Sequence, residues 1–303
     1  MITTPAPGAT VALKSVSKAY GDFVAVDALS FEIAQGSIFG LLGPNGAGKT
    51  STIRMMIGIT MPDSGEVRIF GEPFRRAHLE RIGYLPEERG LYRKMTVVEQ
   101  LTLFGELHGL SRHEAARRST QWCERLELAA WTAKRVDELS KGMQQKVQFI
   151  AALLHEPAFL IMDEPFYGLD PVNATILKDV LLEQKKAGRT ILFSTHRMDQ
   201  VEKLCDGICL VNKGQAVLQG SVSDVKSRYG KRSVQIAYEG DAGFLRSSPL
   251  TGAFNDYGNY LEVRLKPGAD PQNLLRDAMA RVRVNRFELM EPSLEEIFIA
   301  TVG

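Results

Sequence analysis

The sequence predicts an α/β fold in two domains, and three observations carry that prediction. Short continuous apolar runs, IFGLLG (38–43), AFLIM (158–162) and TILFS (190–194), suit strands buried on both faces, and segments of helical periodicity alternate with them. Residues 11–40 open instead with alternating apolar and polar positions, the pattern of antiparallel strands with one wet face. A polar stretch around 221–232 then interrupts the pattern, and a second, smaller set of strands and helices follows it. A chain of 303 residues is long enough for about two domains. The boundaries are drawn at 1–220 and 221–303.

In order along the chain, VALKSVSKAY and LSFEIAQGSIFG read as two or three strands. IFGLLG then leads through GPNGAGKT into the helical STIRMMIGI. SGEVRIFGEPF reads as a hairpin, and RIGYLPEE as a short strand ending at Pro86. From about 94 to 140 the periodicity is helical. Thr96/Glu99 and Ser111/Glu114 are spaced as capping boxes, each placing a helix start. Ser140 precedes the helix KGMQQKVQFIAALLH, AFLIMDEP is a buried strand, and ATILKDVLLEQKKAG is a helix stopped by glycine. TILFSTH is a third buried strand and ICLVNKGQAVLQG a hairpin. Beyond 232 the order is strand (VQIAYEG), a Gly/Asn-rich turn region, strand (YLEVRLK), helix, strand (VNRFELM) and a last helix opened by Ser293 and Glu296.

Composition removes several function classes. Thirty-seven basic residues against 36 acidic ones give a formal net charge of +1, so there is no general attraction to nucleic acid or to an anionic membrane. No run approaches the ~18 apolar residues that span a bilayer, and MITTPAPGATVALKS lacks a signal-peptide layout. A cytosolic protein is expected, reaching a membrane only through a partner. Cys123, Cys205 and Cys209 have neither the number nor the spacing of a disulfide framework, and no pair of histidines accompanies them for zinc. They are expected to be buried thiols. His78, His108, His113 and His155 show no ligand spacing.

The chemistry concentrates in three segments. Gly43–Pro44–Asn45–Gly46–Ala47–Gly48–Lys49–Thr50 matches G-x-x-x-x-G-K-[ST] and stands between a strand and a helix, the context that pattern needs. The glycines let backbone N–H groups turn around phosphate oxygens, and the helix N-terminus, with Ser51 beside Thr50, adds partial positive charge. Lys49 is placed to neutralise the β- and γ-phosphates, and the Thr50 hydroxyl to ligate Mg²⁺. The second segment is the buried strand ending in Asp163–Glu164. It delivers adjacent carboxylates to the edge of the sheet where ligands sit, Asp163 for Mg²⁺ and Glu164 for an attacking water. The third is Leu139–Ser140–Lys141–Gly142–Met143, where a serine N-cap followed by glycine leaves N–H groups available to an anion. Taken singly, the second and third are ordinary strand and helix ends. Their order and spacing relative to the phosphate loop give them meaning.

Across residues 10–220 these motifs resemble, in order, the ATP-binding subunit of an ABC transporter. The resemblance implies a P-loop NTPase core with a mixed sheet, an antiparallel β subdomain and a helical subdomain at about 90–140, followed by a small α+β domain. It identifies Gly43–Thr50 as the Walker A loop, 139–143 as the signature motif, 159–164 as Walker B and Gly168–Leu169–Asp170 as the D-loop. It assigns Tyr20 to stacking on adenine, and His196 to the γ-phosphate and the attacking water. Several positions depart from the family pattern. Glu87 stands in place of the glutamine that contacts Mg²⁺ or water, Lys141 and Met143 replace signature residues, and Tyr167 replaces a serine. Ser140 and Gly142 keep the phosphate-facing part. YLPEERGLY and the final PSLEEIF helix resemble the bacterial sodium- or drug-export branch, the NatA-like ATPases. The implied activity is hydrolysis of ATP with Mg²⁺, in a dimer that sandwiches two nucleotides and drives a separate membrane permease from its cytoplasmic face. The implied docking surface is the helical stretch 90–140. The alternative is a soluble ABC-type ATPase that remodels RNA, DNA or ribosomes. It lacks the expected second nucleotide domain, long coiled-coil insertion or basic stripe, so no nucleic-acid partner is expected.

Overall fold

The computed structural model describes residues 8–88, 90–229, 233–266 and 268–302. Two compact units divide the chain, Met1–Gly220 and Ser221–Gly303.

The first unit begins with two long strands, β1 (Ala9–Tyr20) and β2 (Phe23–Ala34), joined by the Gly21–Asp22 turn in an antiparallel hairpin. β3 (Ile38–Leu42) leaves that hairpin for a different sheet, and α1 (Lys49–Met56) follows it. β4 (Ser64–Ile69) and β5 (Glu72–Pro73) return to complete an antiparallel sheet of order β2-β1-β4-β5. Next come β6 (Ile82–Leu85), the helices α2 (Val97–Leu107), α3 (Arg112–Arg125) and α4 (Lys141–Leu153), and β7 (Phe159–Asp163). α5 (Pro171–Lys186), β8 (Thr190–Thr195), α6 (Met198–Leu204), β9 (Gly207–Asn212) and β10 (Gln215–Ser221) close the unit.

The second sheet has the order β10-β9-β3-β8-β7-β6, with parallel pairing from β9 through to β6. Every residue of β3, β7 and β8 is buried. Their continuous apolar runs are therefore two-faced central strands, as the sequence predicts. One apolar cluster joins the two sheets through α1. Val11, Leu13 and Phe31 meet Phe39 and Leu41, and Ile53, Met55 and Met56 of α1 fill the space between. Phe31 and Phe39 stack with centroids 5.4 Å apart. A fully buried side chain such as Leu41 or Ile161 contributes about 2 kcal/mol from burial, so this cluster fixes where α1 begins relative to the ends of β3 and β7.

Helix starts follow the capping signals. Thr96 and Glu99 form a reciprocal capping box on α2, and the Ser111 hydroxyl accepts from Glu114 N–H on α3. Asp170 caps α5 by accepting from Asn173 N–H at 2.9 Å, with Pro171 at the first helical position. The three cysteines are unbonded thiols; Cys123 and Cys209 are buried and Cys205 is partly so.

The second unit contains α7 (Val222–Tyr229), β11 (Ser233–Glu239), β12 (Thr251–Asp256), β13 (Tyr260–Leu265), α8 (Pro271–Met279), β14 (Arg283–Met290) and α9 (Leu294–Val302). Its sheet is antiparallel, in the order β12-β13-β11-β14, over a core that includes Val234, Ile236, Leu261, Val263 and Leu274. Two elements differ from the sequence reading. The polar stretch expected to be a boundary contains the helix α7, which buries Val225 alone among its residues. The expected turn region contains the strand β12, which pairs with β13. Its alternation is interrupted by glycine, and only Thr251 is buried, so little periodic signal marks it.

Candidate functional site

A cavity of about 400 Å³ opens at the ends of β3 and β7. It is lined by residues 45–51 of the glycine loop and α1, and by Glu87, Asp163, Glu164, Tyr167, His196, Phe23 and Ala25. The sheet brings these together because β3, β7 and β8 run parallel and end side by side. Leu42 pairs with Thr195 and Asp163 with Ser194.

The glycine loop is shaped by close backbone approaches. Gly43 has φ +149, and a Cβ there would sit 2.1 Å from the Val211 carbonyl oxygen on β9. Gly48 has φ +106, and its Cβ would sit 2.3 Å from the Ala25 carbonyl. No residue with a side chain fits either position. Lys49 is 7% exposed, and its ammonium donates to the carbonyls of Gly43 at 2.7 Å and Pro44 at 3.1 Å. Burial lowers its pKa, while the charges of Glu164, Asp163 and Glu87 oppose that shift. The lysine is thus a desolvated cation facing three carboxylates, held by weak neutral acceptors that a phosphate oxygen can replace.

Asp163 is buried at the end of β7. One oxygen accepts from Thr50 Oγ1 at 3.1 Å, and the other accepts from the Ser194 hydroxyl. Burial raises its pKa despite those two hydrogen bonds, and the neighbouring Glu164 charge adds to the rise. A hydroxyl and a carboxylate oxygen in contact, both hard donors and next to a phosphate loop, fit Mg²⁺. That ion takes one or two protein oxygens and completes its shell with water and substrate phosphates.

Glu164 follows β7 with φ 50, the left-handed region that costs a residue with a Cβ about 1–2 kcal/mol. Its neighbours hold it there. Its N–H donates to Ser194 O at 2.9 Å, and its own carbonyl accepts from Tyr167 N–H at 3.0 Å. Its carboxylate is fully partnered on one side. Oε2 accepts from Thr195 Oγ1 at 2.9 Å, and Oε1 accepts from the His196 N–H at 3.0 Å and from His196 Nδ1 at 2.7 Å. With Nδ1 donating to a carboxylate, a neutral His196 ring keeps Nε2 as an acceptor. The pair is a carboxylate and an imidazole fixed in one orientation beside the cavity.

Six expected residues lie outside the cavity lining: Gly43 and Pro44, whose carbonyls instead accept from Lys49, and Tyr20, Ser140, Gly142 and Asp170. Tyr20 is 43% exposed at the end of β1, across the hairpin from Phe23. Phe23 is the aromatic residue of the hairpin in the cavity lining, and Tyr20, its direct cross-strand partner, stands beside it on the same face of the hairpin. Ser140 caps α4 by accepting from Met143 N–H at 3.3 Å, and a Cβ on Gly142 would stand 3.7 Å from Gly168 O. The signature segment therefore packs beside the Gly168–Asp170 loop, away from Lys49. Asp170 itself is occupied in capping α5, and the backbone N–H of Asn173 holds its pKa below the ordinary value. Tyr167, read from sequence only as a departure, forms part of the cavity wall.

Buried glutamines of α4 tie the site together. Gln145 donates through Nε2 to Pro165 O at 3.2 Å, just after Glu164. Gln148 donates to Pro86 O at 3.0 Å and Glu88 O at 3.2 Å, on either side of Glu87. No sequence motif marks Gln148, because its partners lie about sixty residues away.

A phosphate loop at a helix N-terminus, opposed by a buried aspartate and a glutamate–imidazole pair, defines a nucleotide triphosphatase of the P-loop class. Comparison with known proteins gives the family. Residues 26–167 match the ABC transporter family, and residues 220–302 match the C-terminal domain of DrrA1-3-like ATP-binding proteins. The chain is 42% identical to the uncharacterized ABC transporter ATP-binding protein YhaQ of Bacillus subtilis, over 95% of this chain and 97% of that one. It is 40% identical to the Nod factor export ATP-binding protein I of Paraburkholderia xenovorans, over 98% of each. It is 32% identical to the linearmycin resistance ATP-binding protein LnrL of Bacillus subtilis, over 96% of this chain and 97% of that one. A solved ATP-binding subunit of an ABC transporter superposes with a TM-score of 0.68 at 33% identity, covering 73% of this chain and 93% of that one. The chain belongs to the ATP-binding subunits of ABC transporters, in the branch that carries the DrrA-like C-terminal domain. It is an ATPase that uses Mg²⁺, and as such a subunit it implies a permease partner. The nucleic-acid-remodelling alternative finds no support among these relatives. Among the described residues, no helix is long and apolar enough to cross a membrane.

Proposed function

We propose that this chain is the ATPase of an exporter, working as a homodimer at the cytoplasmic face of the membrane beneath a separate permease. Relatives named for Nod factor export and linearmycin resistance support export of a small molecule. The helical stretch 90–140 is the proposed permease-docking surface, and the second unit, 221–303, is the accessory domain.

Gly43–Ser51 wraps the phosphates, and Lys49 exchanges its two carbonyl partners for phosphate oxygens as the nucleotide arrives. Thr50 and Asp163 would hold Mg²⁺, with Glu87 also lining the cavity; the ion would supply positive charge against the negative charge that develops on the phosphate. Glu164 accepts a proton from the attacking water, and His196 keeps the Glu164 carboxylate oriented through Nδ1 and presents Nε2, the acceptor of the neutral ring, to the same water. Tyr20 and Phe23 offer the aromatic surfaces for the base.

One observation carries the dimer. The cavity gathers Lys49, Asp163, Glu164 and His196 but not Ser140, Gly142 or Asp170. One face of the nucleotide is therefore left for a second copy to cover with its own signature segment. The γ-phosphate then binds the closed pair better than the open one, and its loss on hydrolysis releases the pair.

Complementation tests this. Lys49→Ala removes the phosphate cation, and Ser140→Arg blocks the signature segment. Each variant alone is expected to be inactive. Mixed, they form a heterodimer with one intact composite site, and phosphate release is expected to recover to about a quarter of wild type by random pairing of equal amounts. A mixture as inactive as its components, at concentrations where the wild type turns over, refutes action in trans.

A further inference from the structure

We propose that Gln148 is a positioning residue for the metal end of the nucleotide site, clasping the backbone on both sides of Glu87 so that helix α4 sets where the Glu87 carboxylate stands. The inference rests on the reading above that Glu87 works at the Mg²⁺ end of the cavity.

The pairing of β6 with β7 ends at Leu85 opposite Met162. Pro86, Glu87 and Glu88 follow without a strand partner, yet Glu87 lines the cavity. What replaces the ladder is one side chain. Gln148 Nε2 donates to Pro86 O and Glu88 O at 3.0 and 3.2 Å, using both of its hydrogens. The orientation of the amide follows from its partners: two carbonyl oxygens accept from an N–H₂ and would repel an amide oxygen. Gln148 is 5% exposed, and its Oε1 has no hydrogen-bond partner among the described residues. A buried, unpaired acceptor is a cost that leucine at the same position would not carry. The donor end is what the position needs.

The clasp also has a direction. Gln145, one turn earlier on the same helix face, holds Pro165 O beside Glu164. α4 therefore grips the loops that bear Glu87 and Glu164, and its first turn is the Ser140–Gly142 segment. A shift of α4 is delivered to Glu87 through two direct hydrogen bonds to the main chain.

The test uses the full chain with Gln148→Leu, which keeps bulk and loses both donors, and Gln148→Lys, which restores donors through its ammonium. Carbonyl ¹³C resonances read the clasp directly, because its acceptors are the Pro86 and Glu88 carbonyls. Gln148→Leu is expected to shift both resonances upfield as each carbonyl loses its donor, and Gln148→Lys to restore most of the shift. The Mg²⁺ titration of ATP hydrolysis reads its function. Gln148→Leu should raise the half-saturating Mg²⁺ concentration about five- to tenfold in the Glu87 chain, roughly one net hydrogen bond, and by less than twofold in a Glu87→Gln chain. Unchanged carbonyl shifts overturn the clasp. Equal Mg²⁺ shifts in both backgrounds, or a lowered melting temperature with no Mg²⁺ shift, overturn the positioning role and leave Gln148 structural. Moved carbonyl resonances in Gln148→Leu, combined with a Glu87→Gln chain whose Mg²⁺ response matches wild type, overturn the metal-end reading of Glu87 and with it the positioning role, while the clasp stands.

Discussion

Replacing Glu164 by glutamine separates charge from shape at the centre of the site. The wild-type carboxylate accepts three hydrogen bonds, from Thr195 Oγ1, His196 N–H and His196 Nδ1. A glutamine can keep all of them. Its oxygen takes the Oε1 place facing His196, and its amide nitrogen takes the Oε2 place and donates to the Thr195 hydroxyl, which both donates and accepts. The lost charge weakens the bonds from His196, so a stability change of about 1 kcal/mol is expected. What cannot be kept is proton acceptance from water. General-base loss is worth about 10²- to 10⁴-fold in rate, or roughly 3–5 kcal/mol in the barrier. ATP affinity should hold or rise, because one of the three carboxylates facing the triphosphate has become neutral. Phosphate release under single turnover measures the rate, calorimetry the affinity, and light scattering with Mg·ATP the accumulation of a closed pair. A Glu164→Gln chain that turns over within threefold of wild type would remove Glu164 from the chemistry, and the geometry around His196 would need another purpose.

Lys49→Ala should weaken ATP binding about 10- to 100-fold, the loss of a charge-assisted contact in a desolvated site; a calorimetric Kd within threefold of wild type contradicts the role given to the ammonium. His155 stacks on His108 with ring centroids 3.8 Å apart and bonds to Ile82 O at 3.1 Å. Burial, with the His108 charge adding, lowers its pKa to about 4. A folded-state value below the unfolded one means that the unfolded chain takes up the proton first. The contribution is therefore full above pH ~6.5 and is lost as pH falls toward 4, on the order of 2 kcal/mol after allowance for partial solvent access. His155→Gln, which can still donate to Ile82 O, should flatten that acid slope in denaturant melts at pH 7.5 and 4.5, and parallel slopes in the two proteins would count against it.

Some features of this protein are local in the chain and were set by sequence alone. The strand–glycine loop–helix order at 38–56, the caps at Thr96, Ser111, Ser140 and Asp170, and the buried runs ending at Asp163 and Thr195 depend on neighbours within a few residues. Spacing and periodicity express those dependences directly. The order of these motifs also sufficed for the family, because it survives without any knowledge of contacts. The tertiary structure decided what depends on pairing between distant segments. Glu164 meets His196 across 32 positions because β7 and β8 run parallel in register. The hairpin register sets Phe23 beside Tyr20 on one face, and Gln148 reaches Pro86 and Glu88 because α4 packs beside β6. The stacking of His108 on His155 has the same origin, since isolated histidines carry no periodicity to announce it. β12 went unseen because a mostly exposed strand interrupted by glycine has no alternation, and its partner β13 supplies the hydrogen bonds that make it a strand. Local free energies choose the elements; which side chains then meet is fixed by the burial and register of the assembled sheets.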